Sequence, residues 1–329
     1  MFAFKPWSRR VVGAACCALV GAVWVPARAG AVTTSTNKWA AVSKKGVLVR
    51  ANGATGATRM SKGRYLVKFP TAMNKCAFEA TADNPFLRGF PVPVELTVGQ
   101  LEGQPKAVFV QTFLQLAGKL IDAPFDLTTY CGTAPTDAVV SDAGTLARGS
   151  HAVSSFHLAT GRYEVFFDHD VHQCTFTATI GSPIAGEVLI PGEITVAGVS
   201  GRNDGVFVRT MARQGADLDA PFHLAVDCAA STLTAVVNGD ATIARSAHLV
   251  SVARPTALPS GAYNVIFDRD VTKCSHTATI GVTGSVGTVG DPVTISTAPL
   301  HGNVKGLFVL TQNITGNPQD EPFHLTVTC

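Results

Sequence analysis

Charge is scarce in this chain: only 15% of its 329 residues are Asp, Glu, Lys or Arg, and no Lys/Arg cluster with interleaved aromatics occurs. That argues against an electrostatic footprint for nucleic acid. Beyond the N-terminal segment no uncharged run approaches the roughly 20 apolar residues of a membrane span, so the mature protein is expected to be soluble. There is no Gly-x-Ser-x-Gly elbow, no phosphate-binding Gly-x-x-x-x-Gly-Lys loop and no His-Glu-x-x-His pair, and the serines are scattered without an evident base beside them. A catalytic role is therefore unsupported. No Cys-x-x-Cys spacing suggests zinc ligands from one loop, and no stretch after the first residues carries a helical stripe.

What is present begins with an address. Lys5, Arg9 and Arg10 precede an uncharged run, Val11 to Pro26, that ends in the small-residue pattern Ala27-Arg28-Ala29. This is the pattern of a cleaved signal peptide over 1–29, followed by a flexible tail over 30–38. Ser8-Arg9-Arg10 resembles a twin-arginine signal, whereas Val11-Val12-Gly13 departs from the usual Phe-Leu continuation, so both that route and general secretion stay open. Cys16 and Cys17 lack the Leu-like residue that a lipoprotein signal places three positions earlier. The signal takes four of the 26 basic side chains and no acidic one, leaving 22 against 23 acidic, a charge of about −1.

Self-similarity is the strongest internal feature. Gly161-Arg162-Tyr163-Glu164-Val165-Phe166-Phe167-Asp168, with Val171 and Cys174, recurs as Gly261-Ala262-Tyr263-Asn264-Val265-Ile266-Phe267-Asp268 with Val271 and Cys274; its earlier copy is Gly63-Arg64-Tyr65-Leu66-Val67-Lys68-Phe69, then Cys76. Each copy closes on a second block: Ala123-Pro124-Phe125-Asp126-Leu127 to Cys131, Ala220-Pro221-Phe222-His223-Leu224 to Cys228, and Glu321-Pro322-Phe323-His324-Leu325 to Cys329. Three units of about 100 residues follow, over 39–131, 137–228 and 232–329.

The cysteines keep the same ruler. Cys76/Cys131, Cys174/Cys228 and Cys274/Cys329 are spaced by 55, 54 and 55 positions. Of the about 15 pairings open to six cysteines, one bridge within each repeat is the simplest, and an exported chain meets the oxidising conditions it needs. Closing such a loop restricts the unfolded chain by about 4 kcal/mol in the entropy account.

Period-two alternation runs through both blocks. Tyr163, Val165 and Phe167 share a face, as do Cys174, Phe176, Ala178 and Ile180, with Thr175, Thr177 and Thr179 opposite; Phe222, Leu224, Val226 and Cys228 form a third set. Both cysteines thus lie on inward faces, from which a bridge between two strands, running across the core, is expected to start. The fold class is all-β: three tandem β-sandwich or jelly-roll-like domains, with seven to nine strands each, set end to end or around a pseudo-threefold axis.

The pattern Gly-x-Tyr-x-Val-x-Phe, a cysteine shortly after, then Phe-His-Leu-x-Val-x-Cys resembles a repeat of an uncharacterised family of exported bacterial β-repeat proteins. The resemblance spans nearly all of the mature chain and implies a secreted β-rich module without implying an activity. Gly-x-Tyr-x-Val-x-Phe alone is similar to a strand of C1q-like jelly rolls, which trimerise, and implies a trimer written into one chain.

Candidate chemistry centres on Asp168, His169, Asp170 and His172, whose carboxylates and imidazoles in one turn could hold a metal or support acid/base work. The other repeats carry Asp268-Arg269-Asp270 with Thr272, and Pro70-Thr71-Ala72 with Asn74, so the expectation is a solvated turn and no metal. His151 and His157, six residues apart on one strand face, are not expected to converge. His223, His324 and Asp126 alternate outward and are expected on a polar face. His276 stands where Phe78 and Phe176 stand and is expected to be a partly exposed or satisfied core histidine. Asn313-Ile314-Thr315 matches a glycosylation acceptor in a chain whose export signal looks bacterial.

The residues therefore point to an exported, non-catalytic binding or structural repeat protein without a cofactor, periplasmic or extracellular, engaging a repeated glycan or cell-surface polymer or assembling with itself. The alternative is a secreted hydrolase or metal-dependent enzyme centred on the second repeat. The chain stops at Cys329, so no C-terminal anchor is expected.

Overall fold

The alternating stretches become strands in the computed structural model, which describes Ala3 and residues 37–329 apart from 85, 88–89, 188, 257, 259 and 286–292. Apart from Ala3, the expected signal over 1–29, and all but the end of the tail over 30–38, lie outside the described residues. Among the described residues no helix is long and apolar enough to cross a membrane, and the only helical turn is the 3-10 segment Gln115–Ala117.

The middle third shows the plan. One antiparallel sheet runs Leu146–Ser150, Thr136–Val140, Phe222–Asp227, Thr175–Ile180, and the other runs Ala152–Ala159, Arg162–Phe167, Gly205–Ala212, Gly192–Gly198. Tyr163, Val165, Phe167, Phe176, Phe222 and Leu224 meet between them in a core with no exposed member. The first and last thirds repeat the pairing register: Tyr65, Tyr163 and Tyr263 lie opposite Val110, Val208 and Val309, and Leu127, Leu224 and Leu325 opposite Ala80, Ala178 and Ala278.

The Gly-x-Tyr pattern has a local cause. Gly161 turns at φ 67°, and its N–H donates to Asp219 (2.6 Å). The Tyr163 hydroxyl reaches the same carboxylate (3.2 Å) and the Asp142 carbonyl (2.9 Å), while its ring meets Phe222 edge-on. Asp122 and Asp320 hold Gly63 and Gly261 in the same way. One aspartate thus ties the start of a strand in one sheet to the turn before a strand in the other.

The bridges are Cys76–Cys131, Cys174–Cys228 and Cys274–Cys329. They do not cross the core, as the inward-facing cysteines suggested, but join neighbouring strands of one sheet. The ladder places Ala77 opposite Tyr130, so the next pair outward is Cys76 with Cys131. Their Cα atoms, 4.4 Å apart, match a non-hydrogen-bonded antiparallel pair.

The sheets then continue from one third into the next. Ala77–Asp83 runs parallel to Val293–Pro299, and Ser275–Gly281 parallel to Gly192–Gly198; Val98 bridges Gly181 in the same sense. First pairs with third, third with second and second with first, so the joins form a closed cycle. Strand edges that would otherwise expose unpaired N–H and C=O groups are covered in this way.

Candidate functional site: the seams and the pocket on their common axis

Three threonines close the cycle. The N–H groups of Ala80, Ala178 and Ala278 donate to the hydroxyls of Thr179 (2.9 Å), Thr279 (2.8 Å) and Thr81 (2.8 Å), each in the adjoining repeat. Each hydroxyl stands in for a missing strand neighbour. The face bearing Thr175, Thr177 and Thr179, opposite the sandwich core, is therefore buried. A signal for this existed: the second face of the segments around Cys174 and Cys274 holds only Ser and Thr, where a solvated strand would carry charge.

The histidines placed on a polar face by alternation do face away from their own core, but they are fully buried against the next repeat. His223 Nδ1 accepts the Phe78 N–H (2.8 Å) and its ring stacks on Phe78; His324 does the same with Phe176 (3.0 Å). Burial, with Arg148 beside one and Arg245 beside the other, pushes both imidazoles down to about 3, so they are neutral acceptors. At the remaining seam Asp126 replaces the histidine and His276 replaces the phenylalanine. His276 is not partly exposed but fully buried, and its Nδ1 lies 2.8 Å from Asp126 Oδ2 across the seam.

An arginine crosses every seam. Arg148 Nε donates to the Cys76 carbonyl, Arg245 to that of Cys174 and Arg50 to that of Cys274. Arg50 also pairs with Asp126 (2.9 Å) and lies 3.7 Å from Asp83. Asp83, Asp126 and His276 converge closely enough to suggest metal ligands. The Arg50 guanidinium already supplies the cation there.

Where the seams meet, the strands Val94–Gly99, Gly192–Gly198 and Val293–Pro299 turn equivalent residues into a pocket of about 60 Å³. Thr81, Thr179 and Thr279 line it together with Leu96, Ile194 and Ile295. Its polar wall is Glu95, Glu193 and Thr294, one from each repeat, at 3%, 3% and 8% exposure. Burial pushes the Glu95 carboxyl up to about 8, with Arg213 opposing; burial and the neighbouring Glu95 push Glu193 to about 8. The Gln115 side-chain amide hydrogen-bonds Glu193. Deeper in the assembly a third buried carboxyl, Glu79, lies 2.9 Å from the Thr179 hydroxyl, and burial raises it well above the carboxylate range. Sequence reasoning missed all three glutamates, because alternation assigns them to an outer face and each looks like an ordinary surface acid.

The turn of the second repeat divides into two groups. Asp168 and His169 join His151, with ring-nitrogen contacts to the Asp168 carboxylate at 2.7 and 3.0 Å, whereas Asp170 pairs with His172. His151, at φ 63°, sits between two strands rather than within one, which is how it reaches Asp168. His157 pairs elsewhere, with Asp219 (2.8 Å). His151, Asp168 and His169 form a half-exposed cluster with metal-ligand spacing. In the third repeat, His248, Asp268 and Arg269 occupy the corresponding places. The Asn313 side chain caps its own turn by accepting from the Thr315 N–H and hydroxyl.

No family model, curated protein or solved structure matches this chain.

Proposed function

We propose that this chain is an exported, non-catalytic binding or structural protein in which three covalently linked sandwiches act as one rigid, trimer-like scaffold for a repeated envelope or extracellular ligand. The observation that carries this reading is the closed cycle of equivalent seam contacts, Ala80–Thr179, Ala178–Thr279 and Ala278–Thr81. It holds three copies of each loop in constant relation, so a polymer can engage several at once without a further loss of orientational freedom. The three disulfides suit an oxidising compartment, in keeping with the basic and apolar N-terminal segment.

The test is retention of the mature chain on immobilised envelope polysaccharide and on peptidoglycan, with release of soluble sugar or peptide followed in parallel. Saturable retention without turnover supports the reading. Turnover, or no retention on any such polymer, sinks it.

A second reading, a metal-dependent hydrolase centred on the second repeat, is favoured by the meeting of His151, Asp168 and His169. Stoichiometric transition metal in the purified chain, together with hydrolysis lost in His169→Ala, would establish it.

A further inference from the structure

The pocket on the common axis is built from the equivalent position of all three repeats, and its chemistry is one-sided. Glu95 Oε1 and Oε2, Glu193 Oε2 and Thr294 Oγ1 are buried oxygens to which no described protein group donates or accepts a hydrogen bond. Nearby, Gln115 Oε1 is in the same condition. Buried polar atoms in native proteins are nearly always paired, and each orphan costs about 1–3 kcal/mol. Several orphaned oxygens at one small site, two of them on one carboxylate, are a concentrated cost that none of the three sandwich cores requires. No nitrogen or sulfur ligand lines the pocket.

We infer that the axial pocket is a binding site for one hard divalent cation of the Ca²⁺ class, held by the Glu95 and Glu193 carboxylates and the Thr294 hydroxyl. An all-oxygen donor set with two negative charges is what such cations select, and soft or imidazole-seeking metals do not. A cavity of about 60 Å³ has room for one ion with a water or two. The cation supplies the positive charge that two buried carboxylates lining one pocket lack. The Arg213 guanidinium acts on Glu95 but makes no ion pair with it among the described contacts. Because each ligand belongs to a different repeat, the ion fastens the three sandwiches to one another at the point where their seams converge. This site is separate from the ligand surface proposed above and stands or falls independently of it.

The experiment is calorimetric titration of CaCl2, and of MgCl2, into the chelator-treated mature chain at pH 8, with melting curves run alongside. The expected result is one Ca²⁺ per chain with Kd about 10⁻⁴–10⁻³ M, the range of extracellular modules. Saturating Ca²⁺ should raise Tm by about 3 °C. Glu95→Gln with Glu193→Gln should weaken binding by about tenfold or more without lowering the cation-free Tm, since the buried charges are gone; that separates a lost site from a lost fold. Thr294→Val should weaken binding by a smaller factor, while Asp168→Asn leaves the isotherm unchanged. No stoichiometric binding up to about 10 mM Ca²⁺ or Mg²⁺, or binding retained in the double glutamine variant, would overturn the inference. So would a melting curve that answers to pH and not to cation, which would mean that the carboxyls share a proton instead.

Discussion

His276 Nδ1 lies 2.8 Å from Asp126 Oδ2 across the seam between the third and first repeats, at the place where the other two seams stack a phenylalanine on a histidine. A third position changes with them. His223 presses so closely on Gly181 that a Cβ there would stand 2.5 Å from the ring, and His324 crowds Gly281 similarly. Where the shorter Asp126 leaves space, Asp83 fills it and Arg50 balances the added charge. Three substitutions thus convert a neutral stack into a buried ionic cluster while keeping the seam closed.

This cluster should behave as a unit. Asp126→Ala takes the carboxylate partner from His276 and leaves Arg50 with Asp83 as its remaining ion pair, and is expected to cost about 3–5 kcal/mol. The triple variant Asp126→His, His276→Phe, Asp83→Gly recreates the residues of the other seams and should recover most of that loss in urea midpoints. A triple variant no more stable than Asp126→His alone would show that the seams are not interchangeable.

Stability should peak in mildly acidic solution. Glu95 and Glu193, at about 8 against an ordinary 4.5, hold protons more tightly when folded, so their contribution is full below about pH 4.5 and is lost as pH rises through about 8. His223 and His324, at about 3 against 6.5, shift the opposite way; theirs is full above about pH 6.5 and is lost as pH falls toward about 3. Melting curves of the cation-free chain should therefore decline on both sides of about pH 5–6. Glu95→Gln with Glu193→Gln should flatten the alkaline limb alone.

Two glycines with similar backbones separate conformational strain from crowding. Gly161 (φ 67°) and Gly201 (φ 75°) both sit in the left-handed region. A Cβ on Gly161 would stand 2.3 Å from the Thr210 carbonyl oxygen, whereas one on Gly201 meets nothing within 4 Å. Gly201→Ala should cost about 1–2 kcal/mol, and Gly161→Ala distinctly more. Equal losses would remove the close approach as the reason for the repeated glycine.

The bridge of one repeat should be felt in the next. Replacing Cys174 and Cys228 by alanine is expected to cost about 2–5 kcal/mol. Because Arg245 grips the Cys174 carbonyl (2.8 Å), amide exchange should also quicken in Ile243–Ala247 of the third repeat. Faster exchange confined to the second repeat would mean that the arginine does not couple them.

The all-β class, the strand positions and the cysteine pairs were legible because they rest on short-range regularities: a period of two, turn residues between strands and a fixed interval between cysteines. The candidate turn was half legible. Asp168 and His169 do meet a histidine, but it is His151, brought in by a break between strands that alternation does not register. The seams were read least well: His223, His324 and Thr179 were placed on the correct side of their strands but in the wrong surroundings.

Alternation sorts side chains onto two faces of a strand and says nothing about what covers the outer one. By itself the sequence determined the all-β class, the cysteine pairs and which residues share an inward strand face, because those depend on spacing along the chain. Only the tertiary structure decided that outer faces meet in a closed cycle, that His276 finds Asp126 150 residues away, and that Glu95 and Glu193 line one buried pocket. Those outcomes depend on contacts between repeats, where exclusion of water from a polar face turns a hydroxyl into a strand partner and a surface acid into a buried one.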